Sequence, residues 1–400
     1  MQTSIDRVNA AIHAFKNGKM VILTDHPDRE NEGDLIMPAE VITPEMMNLM
    51  IRHGSGIVCL SMTEIDLQKL QLPLMVPANN NSSKRGTPFT ISIDSRDGIT
   101  TGVSAEDRVQ TILDAVADHA TPDDLVKPGH IFPLQANSDG VFGRQGHTEG
   151  ALDLARIAGF KPAGVLCEIM NPDGTMARGQ QLVEFAKAHD LPILSIDDII
   201  IYRWTHENRI ESQTATKIVL NDYGQFEIIA IREKGSLVEH LVLFKNKPTT
   251  QPTLVRIHSS CATGDIFASK RCDCHDQLHY SLQKISEEGG MLIYLNQEGR
   301  GIGLFNKIKA YSLQEKGFDT VEANVELGFP ADARQYAIAA NILREMNIND
   351  VRLLTNNPEK INDLMLYGIS TVTREAMPVF HNEHNQDYLK TKKDKLNHHI

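Results

Sequence analysis

The sequence predicts an α/β (α+β) chain of two domains, each a mixed β-sheet packed with helices. Three observations predict it. Short apolar, β-branched runs alternate with helical patterns from residue 5 to residue 195, the pattern of a sheet covered by helices. A denser series of strand-like runs follows at residues 215–220, 225–231, 237–244 and 253–258. The chain has 400 residues, more than a single hydrophobic core usually serves.

The elements read in order as follows. Ile5, Val8, Ile12 and Phe15 recur at helical spacing and Gly18 follows as a stop, so the chain opens with a helix. Residues 20–24 read as a buried strand. Asp25, Asp28, Glu30, Glu32 and Asp34 then crowd one loop. That loop is either a solvated charged turn or an oxygen-rich Mg2+ site, because Mg2+ takes one or two carboxylates with waters and substrate oxygens. Thr43-Pro44 is a helix start with Thr as N-cap. Residues 57–61 read as a strand holding Cys59 in the core, and 79–88 as a polar turn. Ser104-Ala-Glu-Asp107 resembles a capping box opening a helix to about His119. Pro128-Gly129-His130 precedes an apolar run at 131–134. The segment Arg144-Gln-Gly-His-Thr148 stands just before a helical pattern at 152–158, a place suited to phosphate. Residues 163–168 form an apolar strand ending in Glu168, where α/β sites collect.

Composition excludes several classes. The net charge of −12 argues against a general nucleic-acid binder, though a locally basic pocket can still take a small anion. No apolar run approaches the roughly 20 residues of a membrane helix, so no membrane partner is expected. The polar start lacks the layout of a signal peptide. The five cysteines suit a reducing compartment, and the expected location is cytoplasmic. One pattern ends at Ile199-Ile-Ile-Tyr-Arg203 and a polar stretch starts at Trp204-Thr-His-Glu207, so the boundary is placed near residues 203–208, with domains at 1–203 and 208–400 and no Gly/Ser-rich linker between them.

The second half is organised around Cys261, Cys272 and Cys274. On an extended segment, Cys272 and Cys274 would point to one side. Three readings are open: catalytic zinc with a fourth position for water, structural zinc with His275 or His279 as fourth ligand, or plain buried cysteines. Residues 291–295 read as a strand running into Gln297-Glu-Gly-Arg-Gly-Ile-Gly303, a phosphate cradle or a plain turn. Residues 304–316 read as a helix closed by Gly317. Another helix is expected from Pro330 to about Met346, with Asp332 and Arg334 in its first turn. Residues 353–360 read as strand, turn and helix start. The tail from Phe380 is polar and is expected to be mobile unless it closes over something.

The motifs Asp28-Arg-Glu-Asn-Glu-Gly-Asp34, His53-Gly-Ser-Gly-Ile-Val-Cys59, Pro128-Gly-His-Ile-Phe-Pro133, Gly146-His-Thr-Glu149 and Phe160-Lys-Pro-Ala-Gly-Val-Leu-Cys-Glu168 resemble 3,4-dihydroxy-2-butanone 4-phosphate synthase over about residues 1–203. The resemblance implies conversion of ribulose 5-phosphate to the butanone phosphate and formate with Mg2+ or Mn2+. It implies metal ligands at Glu30 and His147. Substrate contacts fall on Arg29, Glu30, Asp34, Arg144, Gln145, Gly146, His147, Thr148 and Glu168, and essential positions on His130 and Glu168. Enolisation needs a base and an electrophile; Glu32, His130 and Glu168 are the groups open for moving protons.

Arg256-Ile-His-Ser259, Thr263-Gly-Asp265, Arg271-Cys-Asp-Cys274, Gln297 to Gly303, Gly328-Phe-Pro-Ala-Asp-Ala-Arg334 and Leu353-Leu-Thr-Asn-Asn-Pro358 resemble GTP cyclohydrolase II over about 208–400. The resemblance implies opening of the imidazole ring of GTP, with release of formate and pyrophosphate. It implies Zn2+ on Cys261, Cys272 and Cys274, with Mg2+ on the triphosphate. Nucleotide contacts fall on Arg256, Ile257, His258, Ser259, Ser260, Gln277, Glu298, Gly299, Arg300, Thr320, Thr355 and Lys360. Asp332 is implied as proton acceptor, Arg334 as nucleophile, and Tyr311 as a residue near the chemistry. A guanidinium with a pKa above ~12 is rarely free to attack, and clamping the α-phosphate explains Arg334 equally well.

Two positions depart from the second family's pattern: Ser260 stands where it has glutamate and His275 where it has glycine. The reading is therefore a bifunctional enzyme of riboflavin biosynthesis and homodimer. The alternative is an active synthase whose zinc domain is a weakened or structural GTP-binding module.

Overall fold

The first helix begins because Thr3 and Asp6 satisfy each other's backbone. The Thr3 hydroxyl accepts from the Asp6 amide, and the Asp6 carboxylate accepts from the Thr3 amide at 2.9 Å. The helix, Ser4–Lys16, then buries Val8, Ala11, Ala14 and Phe15. The computed structural model describes residues 2–245 and 252–400. Its chain divides into two units, Met1–Arg203 and Trp204–Ile400. Among the described residues, no helix is long and apolar enough to cross a membrane.

In the first unit the strands are β1 (Val21–Thr24), β2 (Gly33–Pro38), β3 (Cys59–Met62), β4 (Ile93–Ser95), β5 (Leu125–Gln135), β6 (Gly164–Glu168) and β7 (Ile193–Ser195). They form one mixed sheet in the order β4-β5-β3-β6-β2-β1-β7. Alternation along the strands covers both faces. Ile22, Leu35 and Met37 join one core, and Val21, Leu23 and Ile36 join the other, so both sides must be packed by helices. The β2–β6 register sets Asp34 directly opposite Glu168, which brings two carboxylates together from distant parts of the chain.

In the second unit, Ile210–Ser212 (β8), Thr216–Leu220 (β9), Gly224–Glu233 (β10), Glu239–Lys245 (β11), Thr253–Ser259 (β12), Gly290–Leu295 (β13), Asp350–Leu354 (β14) and Thr371–Glu375 (β15) make a second mixed sheet. Strands β8 to β11 pair antiparallel, whereas β12 pairs parallel with both β13 and β14. Phe226, Leu243, Leu254, Ile285, Leu292, Leu354 and Met377 build a core on this sheet. The predicted α/β class with two helix-packed mixed sheets is the observed architecture.

Three local expectations are corrected. Cys274 is not on an extended segment; it is the first residue of the helix Cys274–Glu288. The helix expected from Pro330 starts only at Ala337, because Asp332 accepts hydrogen bonds from the Arg334 backbone and guanidinium and the Ala333 amide bonds the Arg300 carbonyl. Ser104 does cap its helix, but the Asp107 carboxylate turns away to accept from Thr100, Thr101 and Gly102. The polar tail, expected to be mobile unless it closed over something, forms a helix, Gln386–Leu396.

Candidate active sites

In the first unit the acidic loop is not a solvated turn. Asp25 is buried, and it accepts from the amides of Glu30 at 3.0 Å and Glu32 at 2.9 Å and from Arg29 Nη1 at 2.9 Å. These bonds wrap the loop around Asp25, with Asn31 at a positive φ of 57°. One ligand atom each from Asp25, Glu30 and His147 lies within 4.8 Å of the others. His147 is the first residue of the helix His147–Ile157. Burial pulls its pKa down to about 4, so the imidazole is neutral and able to ligate. Its Nε2 and Asp34 Oδ1 are buried polar atoms without a hydrogen-bond partner, an arrangement that costs free energy unless something fills it. Two carboxylates and an imidazole are hard-to-borderline donors that fit Mg2+ or Mn2+.

Burial, with Glu168 next to it, raises the Asp34 pKa well above the carboxylate range. Glu168 Oε2 accepts from the Ile57 amide at 2.8 Å. A Cβ on Gly56 would stand 2.4 Å from that oxygen, so only glycine lets Glu168 lie where it does. On the helix side, a Cβ on Gly146 would meet Arg144 Nη1 at 2.8 Å and Arg29 Nη2 at 3.1 Å. Two guanidiniums thus converge on a helix N-terminus, a ready anion site. Thr148 is buried and Gln145 is exposed. His130 pairs with Asp94: its Nδ1 lies 2.7 Å from Asp94 Oδ2 and its ring is 44% exposed. No hydrogen bond or ion pair among the described residues joins His130 to Glu30, Asp34, His147 or Glu168. Glu32 is held by Arg178 at 2.8 Å.

In the second unit Cys261, Cys272 and Cys274 offer sulfurs within 4.8 Å of one another. A Cβ on Gly264 would stand 3.0 Å from Cys272 Sγ and 3.1 Å from Cys261 Sγ, so the glycine leaves a cradle for three soft donors. Three thiolates suit zinc. Hydrogen bonds from the Cys272 and Cys274 thiols, with Lys307, lower the Cys261 pKa far below that of a free thiol. Among the described residues, the cluster takes in no histidine. His275 instead packs its ring on His279, 4.1 Å between centroids.

The cysteines open onto a cavity of about 360 Å3. Of the sequence-predicted residues, Ser259, Ser260, Glu298, Gly299, Arg300, Thr320, Tyr311 and Arg334 line it. Gly299 and Arg300 both take positive φ, 62° and 61°, which turns Arg300 inward. Its Nη2 donates to Thr320 Oγ1 at 3.0 Å, while Nη1 is buried and unpartnered. Tyr311 hydroxyl lies 3.1 Å from Thr263 Oγ1. Asp332 grips the Arg334 guanidinium; burial opposes the charge, but Tyr336 and Asp332 hold it firmly protonated.

The other predicted contacts are absent from the cavity wall, and all but the half-buried Gln277 are buried. Arg256, its pKa lowered to about 10 by burial, donates to Gln277 Oε1 at 2.7 Å and to Leu354 O at 3.0 Å. His258 lies 3.1 Å from Asp265. The Ile257 side chain is core, and its carbonyl accepts from Lys360 Nζ at 2.8 Å. Thr355 caps the turn through Asn357.

Models of two families match the chain: 3,4-dihydroxy-2-butanone 4-phosphate synthase over residues 9–202 and GTP cyclohydrolase II over residues 211–376. The riboflavin biosynthesis protein RibBA of Cytophaga hutchinsonii is 49% identical over 402 residues, covering 100% of this chain and 98% of that protein. The chain belongs to the RibBA family. The RibBA of Aquifex aeolicus is 50% identical over 396 residues, covering 98% of this chain and 97% of that protein. The crystal structure of RibBX, a two-domain 3,4-dihydroxy-2-butanone 4-phosphate synthase from A. baumannii, aligns with TM-score 0.67 and 36% identity, covering 93% of this chain and all of that one.

Within this RibBA chain, sequence reasoning missed Asp25 as the hub of the acidic loop, Arg178 and Lys307. Asp25 stood in the quoted carboxylate run, next to a strand end. Arg178 and Lys307 carry no local signal, because each meets its partner only across the fold.

Proposed function

We infer that this RibBA chain is a bifunctional enzyme of riboflavin biosynthesis, a lyase in its first unit and a hydrolase in its second. The first converts ribulose 5-phosphate to 3,4-dihydroxy-2-butanone 4-phosphate and formate. The second hydrolyses GTP to the 2,5-diamino-6-ribosylamino-pyrimidinone phosphate, formate and pyrophosphate. The observation that carries this reading is near-50% identity along the whole chain, with a separate donor cluster in each matched half.

In the first unit Glu30 and His147 hold Mg2+ or Mn2+, with Asp25 as the post that shapes their loop. The ion supplies Lewis-acid polarisation of the substrate's oxygens. Arg29 and Arg144 bind the phosphate at the helix N-terminus, next to Gly146 and Thr148. Asp34 and Glu168, facing each other across β2 and β6, are the carboxyls that move protons. His130 is positioned by Asp94.

In the second unit Cys261, Cys272 and Cys274 would hold Zn2+, which would supply a water of lowered pKa for hydrolysis. Arg300 and Arg334 bind phosphate oxygens, and Arg334 serves as a fixed charge, not as a nucleophile. Tyr311, hydrogen-bonded through Thr263, faces the metal end of the cavity. Mg2+ enters with the triphosphate. Cytoplasmic location and a homodimer belong to this reading, and sedimentation tests the latter.

The test is formate release by the zinc-loaded chain, given ribulose 5-phosphate plus Mg2+ in one tube and GTP plus Mg2+ in another. Formate is expected from both. Formate from the first alone would instead favour the single-activity reading raised by Ser260 and His275.

A further inference from the structure

The C-terminal helix Gln386–Leu396 lies beyond residue 376, where the cyclohydrolase match ends. Yet Asp387, Tyr388 and Thr391 line the same cavity as Cys261, Arg300 and Arg334. An ordinary docking helix buries an apolar stripe. This one buries only Leu389, Thr391 and Lys392, and it is held mainly by charge. Lys392 Nζ is 2.6 Å from Asp273 Oδ1, with the two side chains 11% and 2% exposed.

That ion pair is the outer end of a chain of bonds. Asp273 Oδ2 accepts from Gln277 Nε2 at 2.7 Å, and Gln277 Oε1 accepts from Arg256 Nη2 at 2.7 Å. On the other side, Lys395 bridges Asp319 and Glu322, at the cap of the helix Thr320–Glu326 whose first residue receives Arg300. The Tyr388 ring stands 4.6 Å from Lys392 Nζ and 5.9 Å from the Arg300 guanidinium. Both flanks of the nucleotide cavity are therefore tied to one helix.

We propose that the C-terminal helix is a wall of the GTP site, and that Lys392 is a positioning residue whose bond to Asp273 anchors that wall, with Tyr388 and Thr391, beside Arg300. The proposal rests on the reading of the second unit as a GTP cyclohydrolase. Without Lys392, the buried Asp273 carboxylate loses its ion-pair partner and the helix loses a buried anchor, so Tyr388 and Thr391 no longer keep their places in the wall.

The experiment compares the full-length zinc-loaded chain with Lys392→Ala and Lys392→Arg. Binding is measured by calorimetry with a GTP analogue carrying a non-hydrolysable α,β-methylene bond, and turnover with GTP. Zinc content and formate from ribulose 5-phosphate are followed as controls. Lys392→Ala is expected to raise Kd and KM about tenfold or more while kcat stays within about threefold. Lys392→Arg restores binding to within about threefold. Unchanged binding in Lys392→Ala overturns the proposal while leaving the cyclohydrolase reading intact. So does loss of zinc or of the fold, which would mark Lys392 as merely structural. A wild-type chain that neither binds the analogue nor releases formate from GTP overturns both.

Discussion

Lys307 Nζ lies 3.0 Å from Cys261 Sγ and 2.8 Å from Glu298 Oε1. One buried ammonium thus ties the first cysteine of the cluster to the glycine-rich turn that carries Arg300. Three thiolates around a divalent ion leave net negative charge, and a cation in contact with one sulfur offsets part of it.

Replacing Lys307 by Met keeps the length of the side chain and removes the charge. Zinc affinity, measured by competition with a chromophoric chelator, is expected to fall by about 10- to 100-fold, the scale for groups that support metal ligands. Unaltered affinity would mean that Lys307 serves only Glu298.

Gly56→Ala tests the placement of Glu168. The added Cβ would stand 2.4 Å from Glu168 Oε2 and 2.7 Å from its backbone N and O, so the carboxylate must move. Formate release from ribulose 5-phosphate is expected to fall by about a hundredfold, the usual effect of a misplacement near 1 Å. Release from GTP should be untouched, which separates a local effect from misfolding. Full synthase activity in this variant would show that Glu168 can act from elsewhere.

Asp107 predicts an acid dependence. Hydrogen bonds from Thr100, then from Gly102 and Ser104, depress its pKa from 3.8 to about 2. A carboxylate with a depressed folded-state pKa stabilises the fold above the unfolded value and loses that contribution as pH falls through the folded one. The Tm gap between wild type and Asp107→Asn should therefore be widest above pH ~4 and close between pH ~4 and ~2. A gap constant with pH would contradict it. The loop that Asp107 holds also places Gly102, where a Cβ would meet His130 Nδ1 at 2.7 Å, so the same variant should perturb His130.

Metal removal should split the two activities. A chelator that takes zinc but spares magnesium is expected to abolish formate release from GTP while leaving the ribulose 5-phosphate reaction intact in excess Mg2+. A thiol reagent should then find three newly reactive cysteines, because Cys59 and Cys167 are the buried thiols outside the cluster. Fewer would mean the sulfurs do not share one ion.

Much of this protein was legible one segment at a time. Thr3 and Thr43 cap the helices their hydroxyls announce, since a cap is a bond between neighbours in the chain. Strands β1, β6 and β13 follow their apolar runs within a residue or so. The residues that gather in the two clusters stand in motifs the sequence displays, Glu30 and His147 through the family resemblance and the three cysteines through their spacing. The errors arose where a side chain preferred a partner to its propensity. Asp332 binds Arg334 and delays a helix until Ala337, and the Asp107 carboxylate binds the loop at 100–102 in place of the Ser104 amide.

The sequence by itself determined the two-sheet class, the start of most helices and which residue types could meet a metal or a phosphate. These depend on local propensity, periodicity and chemistry. Only the tertiary structure decided that Asp34 faces Glu168, that His130 stands with Asp94, that Lys307 touches Cys261 and that the polar tail closes on a cavity through Lys392. Those pairings join residues tens to more than a hundred positions apart, and they are selected by burial and charge, which the spacing of residues along a chain does not encode.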